Sequence, residues 1–149
     1  MRIVLLILLL LMGTAQAEKV CKVYDADTLT LCNGVKVRLA NVDAPELHQP
    51  YGKGARDFTR RYLIGRDVSL TCKGKSFKRR VCSVQVLTNS QRLDFGKELV
   101  GWGWAFSEPR YDKAGNYLPA EAFARNQRRG VWMQHDGGQR PWVYRKKKF

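Results

Sequence analysis

The four cysteines fall into two pairs, each straddling a short turn sequence, and this narrows the possible folds more than any other feature. If Ala26 and Asp27 form a hairpin loop between Asp25 and Thr28, counting outward along the arms sets Cys21 opposite Cys32. A second hairpin turning at Phe77 sets Cys72 against Cys82. The spacing therefore predicts Cys21–Cys32 and Cys72–Cys82 bridges over the other two connectivities. A zinc site is the competing use of the thiols, but the chain has no Cys-x-x-Cys pair and no cysteine–histidine cluster.

Disulfides need an oxidising compartment, and the N-terminus supplies a route to one. Met1-Arg2 precedes an apolar run from Ile3 to Met12, and small residues follow as far as Ala15-x-Ala17. These are the parts of a cleavable secretory signal. The run falls short of the roughly 20 apolar residues of a membrane span. Residues 1–17 are thus expected to be removed, leaving residues 18–149 as one domain with a basic C-terminal tail and no stable membrane anchor. The expected location is exported, either periplasmic or secreted, and a monomer is expected. The formal charge of +14 drops by one with the loss of Arg2. Such an excess favours a polyanionic partner: nucleic acid, an anionic membrane or an acidic polysaccharide.

Strand-like arms run from Val20 to Tyr24 and from Leu29 to Cys32, and Asn33-Gly34 marks a turn into a third strand. From Val35 to Val42 the alternation puts Val35, Val37 and Leu39 on one face, with Lys36 and Arg38 on the other. Ala55, Phe58, Tyr62 and Leu63 carry a helical period, predicting a helix from about Lys53 to Ile64 that ends at Gly65. Asp67–Cys72 and Val81–Leu87 read as strands around a basic turn, Lys73 to Arg80. Asp94 is placed to cap a short helix, and Pro119 opens a last helix that stops near Gly130. The segment after Gly130 reads as irregular. The class is α+β: a five-stranded OB-type β-barrel with about three helices.

For so basic a chain, Asp25, Asp27, Asp43 and Glu46 concentrate acid around Arg38 within a short stretch. Hard divalent cations require oxygen donors of this kind. Asp27 and Asp43 are candidates to hold such an ion, together with a main-chain carbonyl from the Asp43-Ala44 loop. Glu46 could act on a nearby water. Arg38 offers a planar fork to phosphate oxygens, and a second guanidinium from the Arg79–Arg80 turn would complete a clamp. Each residue has a plainer reading as a turn former or a solvated charge; the combination points to metal-assisted phosphodiester hydrolysis. Lys53, Arg56, Lys78 and whichever of Arg79 and Arg80 stays outside the clamp are candidates to attract a phosphate backbone. Aromatic neighbours would favour single-stranded DNA and RNA. Trp142, Tyr144 and the Arg145–Lys148 run either extend that track or form a solubilising tail.

The order Asp25-x-Asp27-Thr28, Val37-Arg38-Leu39, Val42-Asp43-x-Pro45-Glu46 and Tyr51-Gly52-x-x-Ala55 resembles the staphylococcal nuclease (thermonuclease) family. The likeness continues through Phe77-Lys78-Arg79, Leu99-Val100-x-x-Gly103-x-Ala105, Glu121 and Gly130-Val131-Trp132. It implies Ca²⁺ as cofactor, with Asp27, Asp43 and the Ala44 main-chain carbonyl as ligands and Asp25 in the outer sphere. It further implies Arg38 and Arg79 as phosphate-clamping arginines and Glu46 as the glutamate acting on water. The implied activity is sugar-nonspecific cleavage of DNA and RNA to 3′-phosphates. Two departures stand out: Ala26 where the family usually has Gly, and Phe77-Lys78-Arg79 where it usually has Tyr-Gly-Arg. The alternative is a catalytically weak OB-fold module that binds nucleic acid. A cationic protein acting on membranes or cell-wall polymers fits less well, since no long basic amphipathic helix is evident.

Overall fold

The computed structural model describes residues 17–147. All of the expected leader except Ala17, and the last two residues of the basic tail, lie outside the described residues. Strands β1 (Glu18–Asp25) and β2 (Thr28–Leu31) form the first hairpin, with Asp25 opposite Thr28 as the sequence predicts. Farther from the turn the register slips, so that Val23 faces Leu29 and Val20 faces Leu31. An irregularity at Cys21 absorbs one slip, and the Cys21–Cys32 bridge forms with its Cα atoms 4.9 Å apart. In β3 (Lys36–Leu39), Val37 and Leu39 are buried while Arg38 takes the other face.

The second hairpin is longer than expected. Strand β5 (Asp67–Ser76) and strand β6 (Arg79–Leu87) pair on past the Cys72–Cys82 bridge, leaving only Phe77 and Lys78 in the turn. The lysines at 73 and 75 face water, so basic composition does not oppose the extension of the ladder. Strands β3, β2, β1, β5 and β6 close into a ring through a parallel β3–β6 pairing that sets Leu39 beside Cys82. The β1–β5 contact is confined to Glu18 and Lys19 with Val68 and Asp67, so the ring is not strictly a barrel. Strand β7 (Arg92–Asp94) adds to β6, while β4 (Val42–Asp43) pairs separately with β8 (Phe106–Ser107).

Helix α1 (Gly52–Leu63) buries Ala55, Thr59 and Leu63 against the ring. Helix α2 (Phe95–Gly101) is capped by Asp94, which accepts from the Lys97 amide at 3.2 Å. Helix α3 (Leu118–Asn126) has Pro119 in its first turn. The tail expected to be irregular instead forms helix α4 (Pro141–Lys146), making four α-helices among the described residues rather than about three. Its buried Pro141 starts the first turn, and Trp142 lies edge-on to Phe106 with ring centroids 6.3 Å apart. Leu29, Val37, Val68, Val84, Phe95 and Leu99 belong to the main core, and Phe106, Ala124, Val131 and Trp132 form a second cluster beneath α4. Among the described residues no helix is long and apolar enough to cross a membrane.

Candidate active site

The turn of the first hairpin, the outer face of β3, the loop after β4 and the tip of the second hairpin converge on a cavity of about 460 Å³. Asp25, Asp27, Arg38, Glu46 and Arg79 all line it, and Asp43 is buried beside it. Tyr24, Phe77 and Tyr111 stand exposed at its rim; Phe77 is 95% exposed at a backbone φ of 55°.

Arg38 sits opposite Thr28 in the β2–β3 ladder, one residue from Asp27. Its Nη1 donates to Asp27 Oδ1 at 2.8 Å and its Nη2 to Asp43 Oδ1 at 2.9 Å. Burial disfavours the charge on Arg38, but Asp27 and Asp43 more than offset it and hold the guanidinium more firmly protonated than usual. Asp27 also accepts from Thr28 Oγ1 and from the Ala44 amide, each at 3.1 Å. Burial raises the pKa of Asp43 despite its arginine partners. Asp25 is pushed up to about 7, first by burial and then by the charge of Asp27. Its Oδ1 is buried without a hydrogen-bond partner.

Of Arg79 and Arg80, only Arg79 enters the cavity. Its Nη1 donates to Thr28 Oγ1 at 3.3 Å inside the cavity, whereas Arg80 is exposed and absent from the lining. Ala26 needs no positive φ. It is fully buried, and its carbonyl accepts from Thr59 Oγ1 of α1 at 3.0 Å, so the loss of Gly is accommodated.

The four basic residues expected to attract a phosphate backbone lie outside this cavity. Lys53 lines a separate groove with His48 and Tyr51. Arg56 pairs with its neighbour Asp57 at 2.8 Å, and Lys78 is exposed in the hairpin turn. None of these three, nor Arg80, lines the cavity. Arg110 does line it, and donates to the buried Glu108 at 2.8 and 2.9 Å.

Arg145 of α4 was the residue least visible in the sequence. Its Nη2 donates to Asp43 Oδ2 at 2.6 Å, and its Nη1 donates to Glu46 Oε1 at 2.6 Å and to Asp43 Oδ1 at 3.1 Å. The hydrogen bond to Asp43 holds its guanidinium more firmly protonated still. A run of basic residues at a chain end gives no sign of which one turns inward; only Pro141-Trp142 hinted at an ordered helix there.

The donors suit a hard cation in kind. They are carboxylate oxygens; the cysteines are consumed in disulfides and no histidine lines the cavity. The unpartnered Asp25 Oδ1 would welcome a positive charge. As arranged, however, no three acidic, histidine or cysteine side chains among the described residues form a ready cluster, and guanidinium groups hold the Asp43 oxygens.

Comparison with known proteins extends these observations. Residues 36–134 match the family described as staphylococcal nuclease homologue. The chain is 31% identical over 139 residues to an uncharacterized endonuclease of Haemophilus influenzae, covering 89% of this chain and 76% of that protein. It is 29% identical over 129 residues to the thermonuclease of Staphylococcus hyicus, covering 78% of this chain and 76% of that one. With a probable staphylococcal-like nuclease of Oryza sativa subsp. japonica it shares 33% identity over 122 residues, 79% of this chain but only 23% of the longer plant protein.

Proposed function

Because this chain belongs to the staphylococcal nuclease family, we propose that it is an exported, calcium-dependent nuclease that hydrolyses DNA and RNA to 3′-phosphate products. The observation that carries this reading is the gathering of Asp27, Asp43, Arg38, Arg79 and Glu46 around one cavity in a protein otherwise strongly basic. Calcium, held by Asp27, Asp43 and the Ala44 main-chain carbonyl with Asp25 in the outer sphere, would supply charge neutralisation at the phosphate.

The protein's own groups do the rest. Arg38 spends two of its five N–H donors on Asp27 and Asp43 and keeps the others for non-bridging phosphate oxygens. Arg79 spends one on Thr28 and approaches from the other hairpin. Together they oppose the negative charge that grows on those oxygens as an attacking water bonds to phosphorus and the 5′-oxygen leaves. Glu46 accepts from that water and orients it. The exposed rings of Tyr24, Phe77 and Tyr111 offer stacking surfaces to unpaired bases, which supports a preference for single-stranded substrate. The two disulfides support export, with residues 18–149 acting as a monomeric nuclease domain.

The test is digestion of denatured DNA and of RNA by the mature chain, with calcium or with a chelator, beside a Glu46→Gln variant. Cleavage of both polymers that requires calcium and falls at least about 100-fold in the variant is expected. Intact polymers under every condition, with tight salt-sensitive binding, would establish the alternative of a catalytically weak binding module.

A further inference from the structure

Arg145 holds two acidic groups at once, one oxygen of Glu46 and both oxygens of Asp43. With Arg38 also on Asp43 Oδ1, that buried carboxylate has a guanidinium on each oxygen. A divalent ion and a guanidinium are alternative ways of meeting the same negative charge, and both cannot occupy the same lone pairs. Three donors fill three of the roughly four acceptor positions of Asp43, and Arg145 sits on both of its oxygens, so an ion arriving at this carboxylate meets a cation that the protein itself provides.

The helix bearing Arg145 is fixed independently of this contact. Pro141 is buried, Trp142 packs edge-on to Phe106, and the Arg140 guanidinium lies 4.3 Å from the Phe106 ring centroid and 4.9 Å from that of Trp132. Gln49, itself buried, joins the two regions: its side-chain amide donates to the Gln139 carbonyl just before α4, and its Oε1 accepts from the Glu46 amide at 3.1 Å. The Arg145 side chain is 38% exposed, so it can leave the acid cluster for solvent by rotating its own bonds while α4 stays docked.

We propose that Arg145 is a built-in counter-cation that closes the Asp43–Glu46 side of the cavity, and that a divalent ion enters only by displacing its guanidinium. This rests on the reading of Asp27 and Asp43 as metal ligands. The displacement makes calcium binding weaker than the carboxylates alone would allow, so the calcium level needed to fill the site is set by a residue of the C-terminal helix. It also frees Glu46 from Arg145 at the moment the ion arrives, which couples the release of the water-orienting group to loading of the site.

The experiment is calorimetric titration of calcium into the mature wild-type chain and into Arg145→Ala and Arg145→Gln variants, with no nucleic acid present. Both variants are expected to bind calcium at least tenfold more tightly than wild type. A second readout needs no variant: the Arg145 side-chain Nε–H resonance of the wild-type protein should shift as calcium is added, along the same saturation curve. Equal binding by all three proteins would overturn this inference alone and leave the metal reading standing. Weaker binding by the variants would overturn it too, because Arg145 would then be supporting the metal site. Absence of calcium binding by all three would remove the metal reading and this inference with it.

Discussion

Gly103 and Gly130 meet backbone to backbone. The Val131 amide donates to the Gly103 carbonyl at 2.9 Å, and a Cβ built on either glycine would collide with main-chain atoms of the other's segment. Both have positive φ, 75° and 53°. The contact joins the end of α2 to the turn that follows α3, and so fixes the platform beneath α4. Gly103→Ala or Gly130→Ala is expected to destabilise by about 2–4 kcal/mol, combining left-handed strain with the collision. Urea denaturation of the variants checks this; a loss under about 0.5 kcal/mol for both would mean that the close approach has no energetic consequence.

Arg79 and Arg80 are neighbours with separate fates, one inside the cavity and one in water. Arg79→Ala should lower kcat on single-stranded DNA by roughly 100- to 1,000-fold, the usual cost of one donor to a developing anion. Its stability should stay within about 0.5 kcal/mol of wild type, since its one hydrogen bond is a long one to Thr28. Arg80→Ala should retain most of the activity. The reverse order of losses in a steady-state assay would transfer the role to Arg80.

Asp25 carries a pH signature. Its folded-state pKa, about 7, lies above the ordinary value near 3.8, so the native state binds the extra proton over that interval. Its contribution to stability is therefore complete below about pH 4 and is lost as pH rises through 7. In calcium-free buffer, Asp25→Asn should gain stability relative to wild type as pH increases from 4 to 7, by at most about 4 kcal/mol. Thermal melts of the two proteins across that range give the difference, and a difference that does not change with pH would place the Asp25 charge in a well-solvated setting.

Tyr117 offers a control remote from the chemistry. Its hydroxyl donates toward both oxygens of Asp94, at 2.9 and 2.8 Å, and Asp94 in turn caps α2. Burial, reinforced by Asp94, raises the Tyr117 pKa, so the phenol stays protonated as this bond requires. Tyr117→Phe should cost roughly 1–3 kcal/mol, measured by chemical denaturation, with kcat unchanged. A large fall in kcat without loss of stability would contradict a purely structural role.

What the sequence could reveal depended on distance along the chain. Arg38 on β3, Asp43 on β4 and Glu46 in the loop that follows lie within nine residues of one another, so spacing suffices to group them. The paired cysteines likewise encode two hairpins, and neither the slipped register of the first nor the longer ladder of the second changes which cysteines meet. Arg145 reaches Asp43 across 102 residues, and its direction is set by the packing of Trp142 on Phe106, a contact that no local period announces. Charge alone likewise does not say where Lys53 and Arg56 sit: Lys53 lines a neighbouring groove and Arg56 pairs with Asp57.

Each disulfide joins cysteines that are consecutive in the chain, first to second and third to fourth, across separations of 11 and 10 residues. If the chain is exported as proposed, a polypeptide threaded N-terminus first into an oxidising space presents Cys21 and Cys32 together, well before Cys72 and Cys82 arrive. Oxidation in order of emergence thus yields the native pairing, and thiol–disulfide reshuffling has no error to repair. Maturation calls for an electron acceptor but not for an isomerase. A host lacking disulfide isomerase activity should deliver correctly bridged protein in full yield, and one lacking the oxidant should not.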